Sequence, residues 1–133
     1  MEIGQKFKQT RTVTDAVTAA SFGEGLMPVL ATPYLVAFLE DTAVLCVEGE
    51  LPDTQITLGT AVNIRHLGAV PVGMNVTCEA ELIEIDRRRL TFNVRAWDET
   101  GLVSEGTHER FIVDKARFIE KTYAKLEGRE SRE

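Results

Sequence analysis

Several residue types are scarce in this chain, and each scarcity excludes something. There are two cysteines, Cys46 and Cys78, both among apolar neighbours, and two histidines, His66 and His108. No Cys-x-x-Cys or Cys/His ligand spacing occurs, so no metal or other cofactor is expected. Buried thiols of a cytoplasmic protein are the expectation. No apolar run approaches the roughly 20 residues of a membrane span. The longest, Pro33 to Leu39, stops at Glu40 and Asp41. The start, Met1-Glu2-Ile3-Gly4-Gln5-Lys6, lacks the apolar stretch of a secretory signal. Positive charge is in deficit: 15 Lys and Arg against 21 Asp and Glu give a net charge of −6. That speaks against non-specific nucleic-acid binding, which needs a positive footprint. Neither a membrane nor a nucleic acid is expected as a partner.

What is present fits one domain with a true core: 133 residues, 44% hydrophobic and 27% charged. There is no internal repeat. Residues 1–127 read as a single unit, and 128–133 as a charged tail expected to fray.

The clearest element begins at Thr32. Thr32-Pro33 reads as an N-cap followed by proline at the first helical position. The helix expected over about 33–47 is apolar nearly all the way round, which predicts burial on most sides. Gly49 and Pro52 end it. A strand is expected over 6–14, and a short helix followed by a loop over 15–29.

Downstream the pattern has period two. Ile56, Leu58, Thr60, Val62, Ile64 and His66 share one face of a strand. Val76, Cys78, Ala80 and Leu82 share a face of the next, where a phase slip to Ile83 and Ile85 predicts a bulge. Leu90, Phe92, Val94 and Ala96 mark a third strand, and residues 102–113 a fourth. Asp98-Glu99-Thr100-Gly101 signals a hairpin. Residues 114–126 read as a closing amphipathic helix. One greasy helix among antiparallel strands needs a curved sheet wrapped around it. The expected class is therefore α+β, a hot-dog fold. Its open sheet edge predicts a homodimer or a dimer of dimers.

Few residues can carry chemistry. Glu40 and Asp41 interrupt an apolar helix, and neighbours on a helix point about 100° apart, so one at most faces inward. Either both line a solvent stripe or subunit boundary, or one is buried for a purpose, since a buried unpaired carboxylate is costly. His66 ends a strand beside Leu67-Gly68-Ala69-Val70-Pro71-Val72-Gly73, a place suited to acid–base work or to a structural hydrogen bond. Thr32 is explained as a cap, and its hydroxyl is a weak nucleophile without a base beside it. Gly59, inside a strand, signals a bulge or close approach of a ligand to backbone. Its N–H is a candidate oxyanion donor. Arg87-Arg88-Arg89 reads as a solvated turn, or as a site attracting a phosphorylated ligand.

Taken together, Ala31-Thr32-Pro33, Glu40, Leu58-Gly59-Thr60-Ala61, His66, the Gly68–Gly73 loop and Gly106-Thr107-His108-Glu109-Arg110 resemble the fluoroacetyl-CoA thioesterase family, hot-dog acyl-CoA hydrolases. The resemblance spans about residues 4 to 120. It implies Thr32, Glu40 and His66 as the catalytic threonine, glutamate and histidine. It also implies Gly59 and Arg110 as substrate contacts, Arg110 holding the anionic CoA. The family's phenylalanine-bearing lid stretch reads Phe22 to Pro28 here. It is shorter and has no phenylalanine next to the threonine, so another short acyl group is expected rather than fluoroacetyl. The implied function is hydrolysis of a short-chain acyl-CoA thioester. The alternative is a non-catalytic acyl-CoA-binding module. A hot-dog hydratase would carry Asp and His about five residues apart. His66 has no such partner, and His108 meets Asp114 only in a strand-to-helix join.

Overall fold

The computed structural model describes residues 1–23 and 25–129. Of the expected tail, only Gly128 and Arg129 lie within that range. In chain order the elements are β1 (Lys6–Thr12), two short 3-10 turns (Asp15–Val17 and Ala19–Phe22), α1 (Thr32–Cys46), β2 (Gln55–His66), β3 (Asn75–Asp86), β4 (Arg89–Asp98), β5 (Gly101–Asp114) and α2 (Lys115–Gly128). The strands form one antiparallel sheet in the order β1-β3-β4-β5-β2, with β1 and β2 at the edges.

Helix α1 lies on the inner face of this sheet. Leu35, Phe38, Leu39, Thr42, Ala43 and Cys46 are its buried residues, a stripe with helical spacing. They pack on Val76, Cys78, Ala80 and Leu82 of β3 and on Leu90, Phe92, Val94 and Ala96 of β4. The expected burial on most sides is thus corrected. In a single chain α1 buries one stripe, while Tyr34 and Ala37 are exposed and Val36, Val44 and Leu45 half-buried. Both cysteines are free and buried, and desolvation pushes the Cys78 thiol up to about 12.

The predicted bulge in β3 is present: the register slips between Leu82 and Glu84, with Ile83 as the extra residue. A second bulge sits in β2, between Gly59 and Ala61. It corrects the single alternation expected for residues 56–66. Thr60 is extra, so the faces exchange there. Thr57 and Gly59, then Val62, Ile64 and His66, point to the inner side, and Ile56 and Leu58 to the outer side.

The C-terminal helix α2 forms but does not close the fold. None of its residues is buried, and Phe118, Ile119, Tyr123 and Leu126 stay exposed. The Arg87–Arg89 run is a hairpin turn. Arg88 pairs with Asp114, and Arg89 with Glu84, Asp86 and Glu109, so two of its three cations are taken.

Candidate active site

Two clusters gather the candidate residues, one at each end of the inner face of β2. The first joins Thr32 to His66. The segment before α1 is tied down by backbone: Leu30 N–H donates to the Val70 carbonyl at 2.9 Å, and Ala31 N–H to that of Val17 at 2.9 Å. Leu67 and Gly68 N–H both donate to the Val103 carbonyl. These bonds set the start of α1 against the end of β2. Thr32 is then the first residue of the helix, not its cap. Ala31 holds the cap position and no side chain caps it. Freed from capping, the Thr32 hydroxyl lies 2.7 Å from His66 Nδ1. An imidazole thus stands beside the threonine hydroxyl, the kind of neighbour whose lack weakens a threonine nucleophile.

The second cluster surrounds Glu40. Asp41, its neighbour, points the other way, pairing with Arg11 at 2.5 Å and accepting from Gln9 at 3.2 Å. Arg11 in turn lies over the Phe38 ring at 4.2 Å. Glu40 faces the β2 bulge. A Cβ built on Gly59 would lie 2.5 Å from Glu40 Oε1 and 3.3 Å from Arg110 Nη1. Glycine is what lets the carboxylate rest against the strand.

Behind Glu40 stands a buried polar row on β5. His108 is 1% exposed and Arg110 7%. Arg110 donates through Nε to Thr57 Oγ1 at 2.8 Å and through Nη2 to the Thr57 carbonyl at 2.9 Å. Its Nη1 is 3.2 Å from His108 Nε2 and 4.0 Å from Glu40 Oε1. Arginine has no acceptor, so His108 Nε2 must accept. The ring proton then sits on Nδ1 and is donated to the Ala61 carbonyl at 2.7 Å. Burial lowers the His108 pKa below that of an ordinary imidazole, and the Arg110 charge lowers it further. The result is a neutral histidine 3.9 Å from Glu40 Oε1, locked to the bulge it supports. Arg110 is thus turned inward, its guanidinium engaged with Thr57 and His108.

The sequence assigns no role in the site to His108, Thr57 or Ser104, which the structure places in this inner row. The visible signal was the alternation of residues 102–113, which already put Ser104, His108 and Arg110 on one face.

The family described as fluoroacetyl-CoA-specific thioesterase matches the chain over residues 13–116. This chain belongs to that family. The fluoroacetyl-CoA thioesterase of Streptantibioticus cattleyicolor is 35% identical over 97 residues, covering 73% of this chain and 70% of that protein. A solved structure of the fluoroacetyl-CoA thioesterase FlK superposes with a TM-score of 0.89 at 30% identity, over 94% of this chain and 97% of that one. A variant of FlK solved with fluoroacetate and CoA superposes with a TM-score of 0.82 at 30% identity, over 89% and 99%. The hot-dog fold expected from the pattern is therefore the observed fold. As a member of this thioesterase family, the chain is an acyl-CoA thioester hydrolase. Among the described residues no helix is long and apolar enough to cross a membrane.

Proposed function

We propose that this chain hydrolyses short acyl-CoA thioesters, with Glu40 as the base that activates water and the Thr32–His66 pair serving the leaving group. The observation that carries this reading is the setting of Glu40. Its side chain is 38% exposed and its carboxylate lies beside the buried Arg110 cation, yet accepts no hydrogen bond from the described residues. A carboxylate beside a buried cation, with its oxygens open to a reactant, suits a general base. Water, losing its proton to Glu40, would add to the thioester carbonyl. The β2 ladder is interrupted between Gly59 and Ala61, which supports backbone N–H groups of the bulge as donors to the oxyanion. The C–S bond then breaks, and the proton that Glu40 took from water is relayed by His66, hydrogen-bonded to Thr32, to the departing CoA thiolate, leaving Glu40 and His66 as they began.

Thr32 and Glu40 are eight residues apart on one helix, about 12 Å along its axis. Within one chain the two clusters therefore stay separate. A homodimer paired along β2 resolves this, bringing Thr32 and His66 of one copy towards Glu40 of the partner subunit. The uncovered second side of α1 and the exposed Ile56 and Val62 of the edge strand support that pairing. Free, buried thiols fit a cytoplasmic setting.

Tyr34, two residues after Thr32, is an exposed apolar side chain that the acyl group could meet, as is Phe22, whose ring lies against it. The Phe22 and Tyr34 rings touch with centroids 5.4 Å apart. The stretch Phe22 to Pro28 carries no phenylalanine next to Thr32, which favours short acyl groups without a fluorine requirement. The test is free-thiol release across acetyl-, fluoroacetyl-, propionyl-, butyryl- and phenylacetyl-CoA. Expected is turnover of the short esters, with acetyl and fluoroacetyl within about tenfold of each other, the discrimination a small apolar difference gives. Release from none of them, with CoA still bound, would return the chain to a binding module.

A further inference from the structure

We infer that His108 is a positioning residue of the reaction, the central link of a side-chain brace that holds the β2 bulge in shape. This rests on the reading of the bulge as the source of the oxyanion donors.

A chain of hydrogen bonds leaves β2 at Thr57 and returns to β2 at Ala61. Thr57 accepts twice from Arg110, through its hydroxyl at 2.8 Å and its carbonyl at 2.9 Å. Arg110 Nη1 donates to His108 Nε2 at 3.2 Å. His108 Nδ1 donates to the Ala61 carbonyl at 2.7 Å. Gly59 and the extra residue Thr60 lie between the two ends. The braced side chains also flank the irregularity on β5, Arg110 opposite Gly59 and His108 opposite Val62. The His108 ring fills the space beneath Gly59, where a Cβ would lie 3.3 Å from its Cε1. The bulge is therefore held at both ends and supported from below.

A bulge needs such support. Its extra residue is left out of the ladder, so the pairing with β5 does not fix the peptides around it. The brace does, by setting the separation of Thr57 from Ala61. One side chain at its centre must accept from a cation and donate to a carbonyl. An imidazole with its proton on Nδ1 does both. An imidazolium would turn an N–H towards Arg110 and break the link. With His108 and Arg110 at 1% and 7% exposure, water does not compete for these bonds. The Nε2 lone pair is already taken by Arg110, so His108 acts through the bulge and not as an acid or base towards Glu40.

The test uses the full-length protein. An imidazole nitrogen–proton correlation spectrum of the wild type at neutral pH is expected to show His108 protonated on Nδ1 alone. The chain has two histidines, so the His108 signals are those that persist in His66→Ala. His108→Phe keeps a ring beneath Gly59 and loses both bonds. Its kcat is expected to fall on the order of a hundredfold with KM within about threefold, the cost of a small misplacement of catalytic groups. His108→Asn carries an amide nitrogen the same number of bonds from Cβ as Nδ1, and so keeps the bond to Ala61. It should retain about tenfold more turnover than His108→Phe. Thr57→Val loosens the far end of the brace and should lower kcat about three- to tenfold, again at constant KM. A purely structural role would lower the melting temperature and the yield but leave the kcat of the folded protein unchanged. That result in Thr57→Val, or in a folded His108→Phe, overturns the proposal. So does a wild-type His108 protonated on Nε2, even if its variants fail to fold. Failure of the underlying reading is separate: it appears as full turnover in Glu40→Gln, which removes this end of the site from the chemistry.

Discussion

Glu40→Gln is expected to lower kcat by about a hundred- to ten-thousand-fold, the range that a positioned acid–base group supplies. Shape is preserved by this change, and only the ability to take a proton is lost. Stability should move little, within about 1 kcal/mol, because Glu40 is partly exposed and its neighbours do not depend on it. Arg110 stays bonded to Thr57 and His108, and His108 to the Ala61 carbonyl. Asp41→Asn is the matched control, changing a carboxylate one residue away whose partners are Arg11 and Gln9 of β1. Turnover should survive it. Steady-state thiol release and thermal melting of both variants check the pair of outcomes. Full activity in a folded Glu40→Gln protein would remove Glu40 from the chemistry.

Gly106→Ala is expected to cost several times what an ordinary surface substitution does, about 3 kcal/mol or more, and to reduce the yield of folded protein. A Cβ at Gly106 would run into the Asn63 carbonyl oxygen. It would also lie 2.7 Å from Ile64 Cα and 2.9 Å from the Asn63 carbonyl carbon. All of these are backbone, so no side chain can swing aside. Relief requires β2 to move off β5, and that ladder places Gly59, His66 and Ser104. Gly59 is the instructive contrast, since the atom a Cβ would strike there is the flexible end of Glu40. Chemical denaturation of Gly106→Ala beside wild type decides it. A loss below about 0.5 kcal/mol would mean that β2 and β5 are not held as close as described.

The fold was legible because its strongest signals are local. The start of α1 at Thr32-Pro33, the period-two runs of β3 to β5 and the phase slip at Ile83 each follow from backbone preference and burial within a few residues. The errors share one cause, contacts distant in sequence. Thr32 has the residue type of a cap, but the Leu30–Val70 bond brings His66 to its hydroxyl. The β2 alternation looked continuous because Thr60 could pass for either face. The bulge that reverses it is visible only in the pairing with β5. The all-round apolarity of α1 gave no orientation, and orientation separates Glu40 at the bulge from Asp41 at β1. The burial of Arg110 was equally hidden from the sequence. Its burial depends on Thr57, fifty-three residues away, which no local pattern ties to it.

The most direct test compares His66→Ala with wild type on acetyl-CoA, reading thiol release with a thiol reagent and CoA binding by calorimetry. Expected is loss of nearly all thiol release, with CoA binding within about threefold of wild type, since the change removes the partner of Thr32 and leaves every Lys and Arg in place. Undiminished thiol release from a folded His66→Ala protein would contradict the assignment of this histidine, and with it the catalytic pair it forms with Thr32.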